Sequence, residues 1–111
     1  MHRKQNIIKE KTYKFSLDII YIYKQMINQN EFIMSKQLLC AVTSIGANVE
    51  EAIAAQSRKD FISKMSIASK EAREANYWLR LLRDSKLCGN VDFSDAIKQS
   101  DEIIAILTSI V

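Results

Sequence analysis

Side chains able to do chemistry are scarce in this chain, so their spacing decides what they can do. There is one histidine, His2, and two cysteines, Cys40 and Cys88. Nucleophilic catalysis by either thiol needs a base within hydrogen-bond reach, and no histidine is in prospect for Cys40 or Cys88. A di-iron carboxylate centre in a helical bundle needs two Glu-x-x-His motifs. With His2 as the only histidine the sequence argues against that centre, and no metal or cofactor is expected.

The remaining chemistry is that of charge and hydrogen bonding. Lys59, Lys70, Arg73 and Arg80 fall on one helical stripe with Tyr77. Cations interleaved with an aromatic could hold a phosphate backbone and stack a base. The same stripe serves equally well as a solvated outer face. Ser44, Asn48 and Glu51 line one flank of a second apolar-periodic segment, and Glu71 and Glu74 line a flank of a third. Asn48 and Glu71 lie about 80° from the apolar axes of their segments, where burial begins and polar groups need partners. A polar layer that sets helix register or subunit contacts is the expectation.

The elements that must position these residues are helices. Proline is absent and glycine occurs only at Gly46 and Gly89, so long helices with short connections are the economical arrangement. The first helix is predicted from about Asn6 to Asn28, with Ile8, Phe15, Ile19, Ile22 and Met26 on one face, ended by Asn28-Gln29-Asn30. The second runs from Glu31 or Phe32 to about Gln56, over a stripe of Leu38, Val42, Ile45, Val49 and Ala52. Ser57-Arg58-Lys59-Asp60 has the form of a capping box for the third helix, about Arg58 to Lys86. Phe61, Met65, Ala68, Ala72, Ala75, Leu79 and Leu82 recur there in heptads, which implies left-handed packing. Small residues in its middle, with Gly46 and Ala52 on the second helix, predict that these two helices approach closely. Leu87-Cys88-Gly89-Asn90 supplies a left-handed stop, and Asp92 or Asn90 a cap for a fourth helix carrying Phe93, Ala96, Ile97, Ile103, Ile104, Leu107 and Ile110. The fold class is all-α: an antiparallel up-down-up-down four-helix bundle over residues 1–111, as a single domain.

One helix lacks a charged outer face. Between Gln37 and Gln56 the only charges are Glu50 and Glu51, and the side opposite the apolar stripe holds Cys40, Thr43, Ala47 and Ala54. On the third helix Ile67, Trp78 and Leu81 lie off the heptad axis. A second face fit for burial on so short a chain points to a homo-oligomer.

Charge alternates along the chain. Residues 1–30 carry +4, 31–56 carry −2, 57–88 carry +4 and 89–111 carry −3. In an up-down bundle each basic helix then has acidic neighbours. If the second and third helices form a hairpin, Cys40 and Cys88 lie on the order of 20 Å apart, beyond disulfide reach, and two thiols are expected. No apolar run approaches the ~18 residues of a membrane helix, and MHRKQNIIKEK lacks the apolar core of a secretory signal. A soluble, cytoplasmic protein without a membrane partner is expected.

SKQLLCAVTSIGANVEEA, at residues 35–52, followed by SRKDFISKMSIASKEAREANYWLRLL, at residues 57–82, resembles the four-helix-bundle family named after the 23S rRNA intervening-sequence protein, also called S23. The resemblance implies a bundle that assembles into rings, commonly pentamers, with no established reaction. It also implies kinship with the accessory variability protein of diversity-generating retroelements, a pentamer that binds nucleic acid and works with a reverse transcriptase. The chain departs at Cys40-Ala41, where relatives often carry Arg-Ser, and so lacks a positive charge there. The expected function is a non-enzymatic, ring-forming scaffold or accessory protein that associates with RNA, DNA or a nucleic-acid enzyme through the third helix. A pure protein-interaction module is the alternative, and an enzyme ranks last.

Overall fold

A computed structural model describes residues 2–111 as four helices: α1 (His2–Asn28), α2 (Met34–Ile53), α3 (Arg58–Ser85) and α4 (Ser94–Ile110). Each helix packs on its neighbours in sequence and α1 closes the set against α4, so α1 and α3 lie on one diagonal and α2 and α4 on the other. Lys11 pairs with Glu102 while Asp18 meets Gln99. Partner numbers fall as α1 advances, so α1 and α4 run in opposite directions. The result is a rod of 44 × 20 × 18 Å.

Every heptad residue of α3 from Met65 to Leu82 is buried, with Phe61 half-buried at the start. The α2 stripe is buried throughout, and so are Ile8, Phe15, Ile19 and Met26 of α1. Ala68, Ala72 and Ala75 are fully covered, and α2 and α3 share the most extensive interface of any helix pair. Small side chains let two backbones approach, and the burial of many atoms at short range compensates for the area each alanine lacks. Gly46 takes no part in that approach. It faces α1, where an added Cβ would lie 3.6 Å from Ser16 Oγ and 3.7 Å from the Thr12 carbonyl oxygen.

The alternation of charge becomes three links between helices: Lys9 with Glu50 at 3.8 Å, Lys11 with Glu102 at 3.1 Å and Lys64 with Glu51 at 3.0 Å. All three are solvent-exposed, so each contributes at most about 1 kcal/mol. They select neighbours more than they hold the bundle.

Helix ends depart from the sequence expectations. The first helix begins at His2 rather than Asn6, and α2 spans Met34–Ile53 rather than reaching from Glu31 to Gln56. Asn30, at φ 64°, turns the chain after α1, as the polar cluster there predicts. Ser57 caps α3, its Oγ accepting from the Asp60 N–H at 3.0 Å. The left-handed stop after α3 is Lys86, at φ 57°, and Gly89 is not left-handed. The cap position of α4 is Phe93 rather than Asp92 or Asn90, and the Asp92 carboxylate just before it accepts from the Ser94 N–H at 2.9 Å.

Glu31 has the most consequential of these roles. Its carboxylate accepts from the N–H groups of Ile33, Met34 and Ser35 at 3.3, 3.0 and 2.6 Å, in place of a side-chain cap at Ile33. Burial of Glu31, a residue only 9% exposed, raises its pKa, but the hydrogen bonds outweigh burial and hold it below the ordinary 4.5. Because the folded pKa lies below the unfolded one, the stabilisation is present above about pH 4.5 and is lost as pH falls through the folded value. Glu31→Gln is predicted to cost about 1 kcal/mol at pH 7, in the range of a lost cap. Urea unfolding checks this: the gap between variant and parent should narrow steadily from pH 5 to pH 3.

Candidate functional site

The outward face of α3 is set by its inward one. With the heptad stripe turned to the core, Lys59, Lys70, Arg73, Tyr77 and Arg80 are all exposed on the opposite side. None of the four cations has a salt-bridge partner among the described residues. Tyr77 is 49% exposed, and the Arg80 guanidinium lies 5.9 Å from its ring centroid. The ring also meets Trp78 edge-on at 5.5 Å. Arg73 reaches α4, its Nη2 donating to Thr108 Oγ1 at 3.3 Å, and Arg80 Nε donates to Asn76 Oδ1 within α3 at 2.8 Å. An aromatic face beside fixed guanidinium groups, with free ammonium groups along the same helix, suits a phosphate chain better than a single small anion.

Behind this stripe lies polar contact between helices that sequence periodicity did not single out. Asn76 donates to Ser100 Oγ at 2.8 Å and to Asp101 Oδ1 at 3.1 Å, and the buried Ser100 hydroxyl donates to the Ile97 carbonyl at 2.7 Å. Asn76 sits four residues before Arg80, and that spacing was the available signal. The polar layer expected at Ser44, Asn48, Glu51, Glu71 and Glu74 is not a shared network. Asn48 donates to the Ser44 carbonyl and to Ser44 Oγ within its own helix, while Glu74 accepts from Trp78 Nε1 at 3.3 Å within α3. Only the Glu51–Lys64 pair crosses between helices. Glu71 is half-buried and has no hydrogen-bond partner among the described residues.

The faces read as subunit contacts are partly open. Cys40, Thr43, Ala47 and Ala54 are exposed on α2, with Ala54 at its C-terminal cap, and Ile67 and Leu81 are exposed on α3. Trp78 is half-buried and packs against the core of its own chain. A further apolar face is on α1, where Tyr13 is 64% and Leu17 52% exposed, with Ile20 and Tyr21 beside them. Lys14 and Asp18, the charges within this stretch, bind one another at 2.7 Å on the side toward α4. The spacing of Tyr13, Leu17, Ile20 and Tyr21 was the signal for this face.

Cys40 is exposed on α2 and Cys88 is buried in the α3–α4 connection, and both are free thiols. Burial and the neighbouring Glu31 carboxylate push the Cys88 thiol up, which suits a packing role and not a nucleophile. Among the described residues no three His, Cys, Asp or Glu side chains converge as a metal site would require. The side chain of His2 lies outside what is described. No helix among these residues is long and apolar enough to cross a membrane.

A family model of the 23S rRNA-intervening sequence protein matches residues 4–109. The chain belongs to this family. A crystal structure of a protein of unknown function from the S23 ribosomal protein family of Bacteroides thetaiotaomicron superposes with a TM-score of 0.90, at 46% identity over 96% of each chain. No curated protein matches. The S23 resemblance read from SIGAN and YWL therefore holds over nearly the whole chain, α1 and α4 included. Neither the family's description nor that of the Bacteroides protein names a reaction.

Burial raises the Glu71 carboxyl above its ordinary value and Glu74 raises it further, while Lys70 lowers it. The neutral form is thus favoured on folding, so ionised Glu71 detracts from stability at neutral pH and the loss disappears in acid. Glu71→Gln is predicted to raise the melting temperature at pH 7 by about 1–3 °C, as a change of a few tenths of a kcal/mol would. Thermal melts at pH 7 and pH 4 check this: the advantage should shrink at the lower pH.

Proposed function

We propose that this S23 family member is a non-enzymatic, cytoplasmic scaffold that assembles into a ring and holds nucleic acid along the outward stripe of α3. The observation that carries the reading is the set of four cations without a salt-bridge partner among the described residues, beside an exposed tyrosine on one helix face. The family's description, which ties it to an intervening sequence of ribosomal RNA, supports the same direction. Repetition of the stripe around a ring would let weak contacts add wherever one strand reaches several subunits.

Assembly is supported by apolar surface on two separate parts of the rod. A closed ring needs a head-to-tail contact between two different patches of each subunit. Tyr13, Leu17 and Ile20 on α1 and Ile67 and Leu81 on α3 are such a pair, with the uncharged α2 face between them. A ring of five is what the family resemblance implies. Light scattering is expected to give about five times the 12.8 kDa subunit mass. Leu17→Asp with Ile20→Asp, or Ile67→Asp with Leu81→Asp, should each break the ring while leaving helix content unchanged. A parent chain of subunit mass at micromolar concentration would overturn the ring.

The nucleic-acid arm is tested by salt titration with structured RNA and single-stranded DNA. Binding is expected to be sequence-tolerant and to weaken steeply with salt, because phosphate contacts release counterions. Arg73→Gln with Arg80→Gln should lower the slope of log affinity against log salt by about 2 per subunit engaged. Exposed substitutions of this kind usually change stability by no more than ~0.5 kcal/mol, so the fold should persist. An intact ring that binds neither polymer at low salt would leave the protein-interaction module as the standing reading.

A further inference from the structure

At the opposite end of the rod from Glu31, the first turns of α1 and α3 and the last turn of α4 surround a recess of about 180 Å³. It is lined by Lys4, Gln5, Arg58, Phe61, Ser109 and Ile110. Phe61 and Ile110 are half-buried and pack against the core, which makes one wall apolar and fixed in place. Lys4 and Arg58 are exposed at its edge, and neither has a carboxylate within 4.0 Å among the described residues. The acidic side chains of the same helix ends are turned elsewhere. Asp60 faces the α2 side of α3 with Glu51 and Lys64, Glu10 lines a separate recess with Lys9 and Glu50, and Glu102 is held by Lys11. Two cations from different helices, unneutralised and next to an aromatic and an aliphatic wall, separate a place for a negative head from a place for an apolar body.

We propose that this recess binds a small amphipathic anion, its phosphate or carboxylate head between Lys4 and Arg58 and its aromatic or short aliphatic body against Phe61 and Ile110. The site lies at the end of the bundle and does not depend on the nucleic-acid reading of the outward α3 stripe. Its volume is below the range of roughly 300–1,000 Å³ typical of pockets for drug-sized ligands, so the ligand is a single ring or short chain and its affinity is modest. Arg58 favours a planar, two-oxygen head, and Lys4 adds a mobile point charge that can follow it.

Calorimetric titration of the 111-residue chain with phenyl phosphate, benzoate and inorganic phosphate tests the assignment. Phenyl phosphate is expected to bind about tenfold or more tightly than inorganic phosphate, because only the former uses the apolar wall. Benzoate binding alongside it would assign the head as any two-oxygen anion, and its failure to bind would narrow the head to phosphate. Lys4→Gln and Arg58→Gln should each weaken phenyl phosphate about tenfold, and Ile110→Ser should shrink its advantage over inorganic phosphate. Lys24→Gln, an equal change of charge on the far part of α1, should leave both affinities unaltered. Equal affinity for phenyl phosphate and inorganic phosphate, a loss in Lys24→Gln as large as in Arg58→Gln, or no saturable binding by a chain with native helix content would each overturn the site.

Discussion

The close approach of α2 and α3 is the constraint on which the rest of the bundle depends. Ala68, Ala72 and Ala75 bring nothing bulky to that seam, yet each is fully buried, so the two backbones themselves fill the space that larger side chains would occupy elsewhere. Once the hairpin is drawn together, the rotation of α3 is set. Its heptad stripe must face inward, which turns Lys59, Lys70, Tyr77 and Arg80 to solvent and brings Arg73 against α4. The orientation of the basic face is therefore a consequence of packing on the other side of the same helix.

Polar groups follow a similar hierarchy. The buried ones, Thr12, Glu31, Ser35 and Ser100, are all satisfied: Thr12 Oγ1 donates to the Ile8 carbonyl at 2.8 Å and Ser35 Oγ to the Glu31 carbonyl at 2.7 Å. Most of these bonds stay within one helix or one turn. A side chain that returns its proton to a carbonyl three or four residues earlier needs nothing from a neighbouring helix, so it can be buried without imposing a register. Among the bonds to buried Ser100, that from Asn76 is the one that crosses from α3 to α4, and Asn76 also accepts from Arg80. Support for the candidate face thus comes from the α3–α4 side, while the α2 side of the same helix leaves Ile67 and Leu81 exposed.

The two ends of the rod are built differently. At one end the α1–α2 turn is held by the Glu31 carboxylate, and the buried Cys88 thiol of the α3–α4 connection lies close enough to feel its charge. Phe32, Ile33 and Leu87 are exposed on the same two connections. At the other end Lys4 and Arg58 border a small recess with an apolar wall. One end therefore uses its buried charge to start a helix, whereas the other leaves its charges exposed to solvent.

Helix number, the buried stripes and the Ser57 cap were legible from sequence, because a 3.6-residue period and a local hydrogen bond depend only on residues close in the chain. The same holds for the S23 resemblance, carried by contiguous segments. What the tertiary structure decided was partnership. Gly46 was expected to face the third helix and instead faces Thr12 and Ser16 of α1, since periodicity says which residues leave the core but not toward which neighbour they turn. Asn48 and Glu71 sat at a boundary angle that called for partners, and only the packed bundle showed Asn48 satisfied within α2 and Glu71 left half-buried without one. Glu31 looked like the first residue of a helix and became its cap, because Asn30 in the left-handed region folds the carboxylate back over three N–H groups. Local interactions were fixed by sequence neighbours, and contacts between helices waited for a rotation and a register that only packing against the other three could set.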